Sequence, residues 1–441
     1  MIKTDVLVLG GGLAGLSTAY HLQKSGKKSV LVVEKKERAG GLAGSVRFRG
    51  FTFDHTGHLL HLHDPYGRRL ILDLLKGRTS LIARSSWIFS QGRYTRYPFQ
   101  ANTYGLPEKT ADECVVGFLK TLEGRAAAAG PRGDFRSFCL RHFGDGVSRH
   151  FMFPYNRKLW RVPLNRLTAD WQGGFVPKPT AGEVLRGALM DQREGFGYNA
   201  VFHYPRRGGI QALPDALAGR LAPGTLLTGH AVLGLDLRRR RALVAGLGEV
   251  AYERLVNTLP LPAFLDLSGE LPANVAKARR ALRWNAVWCL NLGVERTRVS
   301  DKHWVYFPEK RFPFYRVGFY SNFAASNAPR GSSSLYVEFS RKPSEPVSLP
   351  ALERSALAAL RACGVLRHGD RIVARLWMRI PCAYVLYDFN RAPALAAIAP
   401  FLKKNGVDSI GRYGAWKYSF MEAAILDGRA CAESLLEPKR R

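Results

Sequence analysis

The N-terminal part of the chain shows the clearest pattern of hydrophobic and polar positions. Residues 6–9 form a short apolar run, which is typical of a strand buried on both faces. Residues 13–23 carry apolar side chains at helical spacing up to Gly26, and residues 30–33 form a second apolar run. Two such strands joined by a helix lie parallel, because the helix carries the chain back across the sheet. The pattern therefore predicts an α/β fold that begins with a Rossmann-type βαβ unit.

The pattern changes several times after this unit, which indicates more than one domain in a chain of 441 residues. A region rich in aromatic residues and arginine contains helical patches at residues 111–122 and 184–190, and residues 126–131 have the composition of a linker. Runs of β-forming residues between positions 286 and 339 indicate an antiparallel sheet. We predict a Rossmann-type domain in three separated parts, a helical insertion and an antiparallel-sheet substrate domain. The predicted ranges are 1–75, 204–281 and 376–441 for the three parts, 76–203 for the helical region and 282–375 for the sheet domain.

Charge adds a statement about partners. The chain has 66 Lys and Arg against 35 Asp and Glu, which gives a formal net charge of +31. Such an excess favours an anionic partner, and a phosphorylated substrate, an acidic membrane surface or nucleic acid would each satisfy that condition. We predict no specific nucleic-acid partner and keep an acidic membrane surface as an expectation.

The cysteine pattern and the N-terminal residues bear on metal sites and on the location of the protein in the cell. The six cysteines are scattered singly without a Cys-x-x-Cys pair, so a zinc or redox-pair site gains no support. His58, His61 and His63 follow each other closely but have no convergent acid, and no metal site is predicted. The chain shows neither a basic-then-apolar leader nor an apolar run of about eighteen residues. We expect a cytoplasmic protein, with peripheral membrane association as an additional expectation.

A glycine-rich turn carries the first functional motif. Residues 10–15 fit G-x-G-x-x-G between a predicted strand and a predicted helix, and Glu34 ends the next strand. In such a motif Gly10 permits the tight turn, Gly12 lets the backbone approach a pyrophosphate and Gly15 lets the helix pack closely on the strand. The free N–H groups of the helix N-terminus then face the phosphates. A glycine turn without a ligand is the alternative, which the strand–turn–helix context makes the weaker one.

The residues after Glu34 favour FAD over NAD. An acid followed by Lys35 and then by the pair Gly40 and Gly41 resembles the second signature of the flavin amine oxidase superfamily. Val232 resembles a position on that superfamily's adenine-side strands, although strand core explains a valine equally well.

Further blocks occur in a constant order along nearly the whole chain. They are DHTGH at 54–58, YPFQAN at 97–102, FMFPYNRKLW at 151–160, YPRRGG at 204–209, PFYR at 313–316 and GRYGAWKY at 411–418. Together they resemble UDP-galactopyranose mutase, particularly its eukaryotic branch. The resemblance implies an isomerase that interconverts the pyranose and furanose forms of a UDP-sugar, as in polysaccharide biosynthesis. Its FAD is reduced and acts as the nucleophile, and an external reductant such as NAD(P)H supplies the electrons.

The resemblance also implies roles for individual residues. It gives catalytic roles to His58, Arg316 and Arg412. It implies substrate contacts from Tyr97, Phe99, Gln100, Asn156, Arg157, Tyr306, Arg316, Tyr384, Arg412 and Tyr418. It implies cofactor contacts from Gly10, Gly12, Leu13, Ala14, Gly15, Glu34, Lys35, Gly40, Gly41, Leu42, Gly57, His58, Arg207, Gly208, Val232, Gly411, Arg412 and Met421. Guanidinium groups suit a diphosphate leaving group because they bind it at two points, and Phe99 would stack on uracil.

Two departures from the mutase pattern keep alternatives open. Phe153 stands where eukaryotic mutases carry an arginine, and Arg157 with Arg161 could replace that charge if the stretch is helical. Tyr418 runs directly into Ser419 without the polar insertion of the mutases. This shorter form is closer to general flavin amine oxidases and to bacterial protoporphyrinogen oxidase-like proteins. The alternatives are an FAD-dependent oxidoreductase acting on an apolar or lipid-linked substrate, and a non-catalytic basic flavoprotein that docks on an acidic surface.

Overall fold

The computed structural model describes residues 2–124, 133–172, 175–192, 197 and 199–437, so the linker expected at residues 126–131 lies outside the described residues. The strands in chain order are β1 Ile2–Leu9, β2 Val30–Glu34, β3 Ser45–Phe48, β4 Phe51–Asp54, β5 Thr79–Ala83, β6 Ser86–Ser90, β7 Arg93–Arg96, β8 Val201–Pro205, β9 Leu226–Thr228, β10 Val232–Asp236, β11 Arg241–Val244, β12 Gly248–Asn257, β13 Trp284–Val294, β14 Trp304–Tyr306, β15 Arg316–Gly318, β16 Ser333–Arg341, β17 Ile372–Val385 and β18 Val407–Ser409. The helices are α1 Leu13–Ser25, α2 Pro65–Leu74, α3 Glu108–Leu122, α4 Phe135–Val147, α5 Phe153–Trp160, α6 Ala181–Leu189, α7 Ala212–Ala218, α8 Leu261–Leu267, α9 Ala273–Ala281, α10 Leu349–Ala362, α11 Arg391–Lys404, α12 Gly411–Gly414 and α13 Met421–Leu436.

The first sheet is built around β1. Its strand order is β10-β11-β12-β1-β2-β9, and β18 pairs with the C-terminal end of β12. Because β1 is parallel to both β12 and β2, the carboxyl ends of these strands meet at one edge of the sheet. Leu7 on one face of β1 and Val8 on the other are both fully buried, as the apolar run predicts. The Rossmann-type α/β fold is confirmed.

Helix α13, the last helix of the described chain, covers one face of the first sheet beside α1. It packs on α1 so closely that a Cβ added to Gly428 would lie 2.5 Å from the carbonyl oxygen of Ala14. Ser17 Oγ also donates a hydrogen bond of 2.6 Å to the carbonyl oxygen of Ile425. These contacts place the last segment of the chain against the first helix, beside the glycine turn.

The second sheet is largely antiparallel, with the order β17-β13-β16-β15-β14-β6-β7. Long strands β13, β16 and β17 form its centre, and β6 joins at the other side by pairing parallel to β14. Strands β6 and β7 come from the range 76–203, where the sequence pattern predicts helices, and β17 continues past residue 375. β6 pairs with β14 and β17 with β13, strands that are distant in sequence and that a local pattern does not contain, whereas β7 joins the sheet through the neighbouring strand β6.

Helices α3 to α6 form the helical part and pack against one face of the second sheet. Their aromatic core includes Phe135, Phe143 and Trp160, and it continues into Tyr315 and Ile380 of the sheet region. A second core cluster joins Leu13 of α1 to Tyr336 of β16. The Rossmann-type sheet, the second sheet and the helices therefore meet around a common interior region, where the candidate site lies.

Candidate active site

The glycine turn after β1 has the geometry of a phosphate-binding turn. Gly10 has a φ of 102° and donates its N–H to the carbonyl oxygen of Val33 at 2.9 Å. A Cβ on Gly15 would lie 2.1 Å from the carbonyl oxygen of Gly10, so only glycine lets α1 start this close to the turn. A Cβ on Gly12 would meet nothing within 4 Å, which leaves an open approach to the helix N-terminus.

Glu34 is held in position beside this turn. Its Oε2 accepts a hydrogen bond of 2.8 Å from Gly11 N–H and its Oε1 accepts one of 3.0 Å from Lys36 N–H. The second glycine pair lies against the first motif, since Gly40 donates its N–H to the carbonyl oxygen of Gly11 at 2.8 Å. Lys35 is exposed beside the buried carboxylate. An open, donor-lined turn with a fixed acid at the neighbouring strand end fits the dinucleotide part of FAD.

Two chain segments complete this side of the cradle. A Cβ on Gly411 would lie 2.9 Å from the Cβ of Ala14, so α12 begins against the start of α1. Met421, the first residue of α13, is buried in the same cluster as Leu13. The other predicted cofactor residues are more dispersed. Gly41 faces Gly12, Leu42 packs on the aromatic helical core, Val232 lies on outer strand β10, and Arg207 is exposed beside Gly208.

Arg316 is already paired within the protein. Its Nε lies 2.6 Å from one carboxylate oxygen of Glu338 and a terminal nitrogen lies 2.8 Å from the other. Glu338 is fully buried, and the arginine side chain is 18% exposed. This two-point ion pair explains how an arginine is accommodated among apolar strand residues. It also means that most of the charge on Arg316 is balanced before any ligand arrives.

Arg412 has a different environment. Its guanidinium donates to the carbonyl oxygens of Ser419 at 2.6 Å and Ala383 at 3.1 Å. It also lies 5.3 Å from the ring centre of Tyr384 and 5.0 Å from that of Tyr418. In the described part of the chain no carboxylate lies within ion-pair distance of it. Arg412 is thus a half-buried cation whose charge is available to an anion.

Five tyrosines surround the arginines, and we call them the tyrosine cluster. The ring of Tyr306 lies 5.3 Å from the rings of both Tyr97 and Tyr155. Tyr384 and Tyr418 lie nearly parallel with centres 6.4 Å apart. Burial raises the pKa of Tyr418 to about 12, with further effects from Tyr384, Arg412, Arg316 and Tyr306. Tyr97, Tyr155, Tyr306 and Tyr384 pack against one hydrophobic cluster, so both groups of rings belong to one site lined by hydroxyl groups.

His58 faces the two arginines. Burial, together with the smaller effects of His55, Arg412 and Arg316, lowers the pKa of His58 to about 3. Its Nδ1 atom is buried and has no hydrogen-bond partner among the residues that the structure describes. The ring is therefore neutral at physiological pH, and one ring nitrogen remains available to a cofactor or substrate.

The turn before His58 fits closely around a tyrosine of the second sheet. A Cβ on Gly57 would lie 2.1 Å from the hydroxyl of Tyr336, and one on Gly318 would lie 2.1 Å from Cζ of the same ring. Both positions therefore require glycine. The guanidinium carbon of Arg316 lies 6.0 Å from the centre of that ring. Tyr336 thus connects the Rossmann side of the site to β15.

Four predicted substrate residues do not join the tyrosine cluster. Phe99 is fully buried and stacks on Phe151 at 5.1 Å, so its ring is closed to a uracil base. Gln100 donates to the carbonyl oxygen of Pro177 at 2.7 Å, while its Oε1 is buried without a hydrogen-bond partner in the described ranges. Asn156 is buried between Met152 and Trp160, to which it is hydrogen bonded. Arg157 is exposed and lies over Phe153.

The charge compensation expected from Arg157 and Arg161 is also absent from the cluster. Helix α5 ends at Trp160, and Arg161 takes a left-handed conformation with a φ of 61°. A terminal nitrogen of Arg161 lies 3.3 Å from Glu345, so this arginine serves an ion pair on another surface. Helical spacing does not apply to two residues when the second lies outside the helix.

The sequence reasoning missed several residues of the site. Tyr155, Tyr336 and Glu338 belong to the arrangement around Arg316. Lys158 supports it from behind, because its Nζ lies within 3.1 Å of the carbonyl oxygens of Phe307, Glu309, Phe312 and Phe314. These carbonyls belong to the loop between Tyr306 and Arg316. Tyr155 and Lys158 lie in the FMFPYNRKLW block, so the signal was present, but Glu338 carries no local motif.

The described residues also bear on metal binding, on disulfides and on membrane-spanning helices. No group of three or more His, Cys, Asp or Glu among them is placed to hold a metal ion. All six cysteines are free, and five are buried. No helix in the described ranges has the length and apolar character needed to cross a membrane.

The family follows from this fold and site. The model of the flavin-containing amine oxidoreductase family matches residues 13–436, and the chain belongs to that family. A crystal structure of reduced UDP-galactopyranose mutase is similar over 98% of this chain and 95% of that chain, with a TM-score of 0.91 and 26% identity. The resemblance to the mutases that the sequence blocks indicate is thus confirmed in the fold. The family implies FAD as the cofactor of the glycine turn.

Curated relatives have other names. Human protoporphyrinogen oxidase is 24% identical over 326 residues, which are 68% of this chain and 67% of that protein. A probable flavin-containing monoamine oxidase A of Dictyostelium discoideum is 30% identical over 112 residues, and this match spans only 24% of its length. A putative protoporphyrinogen oxidase structure from Exiguobacterium shares the fold, with a TM-score of 0.72 and 14% identity over 98% of each chain. The relatives support a flavin-dependent enzyme and differ in the reaction.

Proposed function

We propose that this protein is an FAD-dependent isomerase that binds a UDP-sugar and interconverts its pyranose and furanose forms, using reduced FAD. The observation that carries the proposal is Arg412, which lies inside the tyrosine cluster without a carboxylate partner among the described residues. A half-buried guanidinium in that position favours an anionic ligand, and a diphosphate offers two-point contacts.

The charge around the site argues against an amine substrate. Arg316 and Glu338 balance each other, His58 is neutral, and Arg412 leaves a net positive charge. A protonated amine brought next to Arg412 would be repelled, with little water present to screen the charge. Among the activities named for the relatives, those with anionic substrates therefore suit this site better than amine oxidation.

The residues have separable roles in the proposed reaction. Gly10, Gly12 and Glu34 would hold the dinucleotide part of FAD, and reduced FAD would supply the nucleophile that displaces the nucleoside diphosphate from the sugar. Arg412 would neutralise the charge that develops on the departing diphosphate. Hydroxyls of Tyr384 and Tyr418 would add neutral hydrogen bonds to the same group. An external reductant such as NAD(P)H would be needed to prepare the flavin.

A second candidate is an FAD-dependent oxidoreductase with an anionic substrate. It is favoured by the match to protoporphyrinogen oxidase over 68% of the chain and by Phe153, which packs between Arg136 and Arg157 and adds no charge to the site. In that case, substrate itself would reduce the flavin under anaerobic conditions.

Flavin absorbance distinguishes the two candidates. Oxidised and dithionite-reduced protein would be titrated with UDP and UDP-galactose, followed by a product assay for the furanose form. We expect both ligands to perturb the reduced flavin spectrum. Arg412→Gln should weaken UDP binding by about tenfold to a hundredfold, since hydrogen bonds to a charged group contribute about 1.5–3 kcal/mol. Arg412→Lys should bind UDP more weakly than the unchanged protein and more tightly than Arg412→Gln.

Arg391→Gln provides a matched control. Arg391 also donates to a carbonyl oxygen, that of Trp416, and lies over a tyrosine ring, that of Tyr387, but it is outside the tyrosine cluster. The Arg391→Gln variant should bind UDP as tightly as the unchanged protein does. If the reduced protein binds no UDP compound and forms no furanose product, the mutase proposal fails. Flavin bleaching by an anionic substrate would then support the oxidoreductase.

A further inference from the structure

The two-stranded sheet of β5 and β8 exposes aliphatic side chains on one face. Leu81 is paired with His203 and Ala83 with Val201, so these side chains lie on the same side of the ribbon. Leu81 is 62% exposed and Val201 is 51% exposed. Single exposed aliphatic residues are common, but Leu81 and Val201 are diagonal neighbours across the strand pair, and with Ala83 they form a small apolar patch beside His203. We call this surface the ribbon face.

A basic cleft adjoins one end of the ribbon face. Pro205, which pairs with Thr79 in the same register as the exposed residues, lines this cleft of about 520 Å³. Its basic residues are Lys76, Arg78, Arg206, Arg207 and Arg220, and its other lining residues are apolar or glycine. None of the five basic side chains forms an ion pair with a described residue, and all five are exposed. The cleft therefore concentrates five unbalanced charges beside apolar side chains.

We propose that the ribbon face and the basic cleft together dock this protein on a membrane that contains anionic phospholipids. The cleft would receive lipid phosphates, and Leu81 and Val201 would enter the boundary between headgroups and acyl chains. The aliphatic side chains favour a membrane over nucleic acid, whose phosphate backbone offers them no apolar partner. The inference does not depend on the reaction proposed above, because the surface lies outside the tyrosine cluster.

Another basic surface provides the comparison. The turn between β10 and β11 carries Arg238, Arg239 and Arg240, and Arg241 begins β11 directly after it. Two of these are engaged, since Arg239 lies 3.8 Å from Asp236 and Arg241 lies 2.7 Å from Glu249. Substituting the other two arginines, Arg238 and Arg240, removes the same charge as a double substitution in the cleft. This arginine turn therefore separates a local docking surface from a diffuse effect of net charge.

Vesicle co-sedimentation of the full-length protein with FAD tests the proposal. Vesicles would contain phosphatidylcholine alone or mixed with phosphatidylglycerol, at low and at high salt. We expect binding only to the mixed vesicles, with a decrease at high salt. Arg78→Ser with Arg220→Ser should lower the partition coefficient by about 30-fold, since each basic residue near such a surface contributes about fivefold. Arg238→Ser with Arg240→Ser should change it less than about twofold.

Apolar substitutions complete the test. Leu81→Ser with Val201→Ser should weaken binding to the mixed vesicles and leave its salt dependence unchanged. The control pair is Leu122→Ser with Leu189→Ser, which removes two leucines that are 61% and 75% exposed elsewhere. Flavin absorbance would verify that each variant is folded. Equal losses of vesicle binding in the double variant of the cleft and in that of the arginine turn would overturn the proposal. So would binding to a nucleic acid duplex that depends on the cleft but not on Leu81.

Discussion

At the scale of single residues, the ion pair of Arg316 and Glu338 has the largest energetic consequence. Both groups lie among apolar strand residues, and their charges balance at two points. Arg316→Leu should lower the free energy of unfolding by about 3–5 kcal/mol, because it leaves the carboxylate of Glu338 buried without a partner. The double substitution Arg316→Leu with Glu338→Leu should recover most of that loss. Denaturant unfolding of the three proteins measures both values.

The same unfolding measurements can contradict this assignment. If the double variant is as unstable as the sum of both single variants, the pair is not an isolated ionic unit and Glu338 has another partner. Arg412 provides a contrast, because no carboxylate among the described residues pairs with it. Arg412→Gln should therefore affect ligand binding more than stability.

Asp54 predicts a pH dependence of stability. Its carboxylate is fully buried and accepts hydrogen bonds from Ser45, Tyr204 and the N–H of Ile210. Burial raises the pKa of Asp54 from 3.8 to about 6, although these three hydrogen bonds oppose the increase. Because the folded pKa is the higher one, folding takes up a proton between about pH 4 and 6, and stability declines as pH rises through that window.

The expected decline from this one group is about 3 kcal/mol. Asp54→Asn should remove it, since the amide can still accept the hydrogen bonds from Ser45 and Ile210. Urea unfolding at a series of pH values compares the two proteins. Equal slopes between pH 4 and 6 would show that another group controls the dependence.

At the scale of elements, the turn between β1 and α1 separates packing from cofactor binding. A Cβ on Gly15 would collide with the carbonyl oxygen of Gly10, whereas one on Gly12 would enter open space. Gly15→Ala should therefore lower both the stability of the apoprotein and the retention of FAD. Gly12→Ala should lower only FAD retention, because its methyl group occupies the approach of the pyrophosphate.

Urea unfolding of the apoproteins and gel filtration with flavin absorbance provide the two measurements. The φ of Gly12 is −77°, so alanine fits its backbone without strain. An apoprotein of Gly12→Ala as unstable as that of Gly15→Ala would contradict the assignment. FAD retention unchanged by Gly12→Ala would place the cofactor elsewhere.

Elements with a strong local pattern could be predicted from the sequence. The first two strands and the helix between them follow from apolar runs, a glycine motif and a stop near Gly26, which ends α1 in a left-handed conformation. Strands β6 and β7 could not be predicted in the same way. β6 is a short segment of aromatic and aliphatic residues whose parallel partner β14 is remote in the chain, and β7 is a short basic segment that joins the sheet through β6. Pairing of that kind is a tertiary property.

The candidate site shows the same division. Arg412 and Tyr418 belong to the block at 411–418, the family resemblance implies Tyr384, and the structure brings these three side chains together. Phe99 and Asn156 belong to the same kind of block but pack in the core, because a block identifies a shared fold as well as a shared site. Glu338 was missed because a single acid in a strand carries no motif. Its role depends on Arg316, which is brought beside it by pairing between β15 and β16.

At the scale of the whole molecule, the cofactor cradle joins segments from both ends of the chain. Gly12 and Gly40 come from the first part, and Gly411 with Met421 come from the last part, which packs on α1. A ligand that contacts all of them binds the folded state and not the unfolded chain. FAD should therefore raise stability by about 2.7 kcal/mol when it is present at a hundredfold excess over its dissociation constant.

Thermal unfolding of apoprotein with increasing FAD measures this effect, as a transition temperature that rises with FAD concentration. Riboflavin is the discriminating control, because it has the isoalloxazine ring but lacks the pyrophosphate and adenosine that the glycine turn and Glu34 are positioned to hold. It should stabilise the protein far less than FAD. If riboflavin stabilised it equally, binding energy would come from the ring pocket alone. The two ends of the chain would then be held together by the contacts of α1 with α13, without help from the dinucleotide.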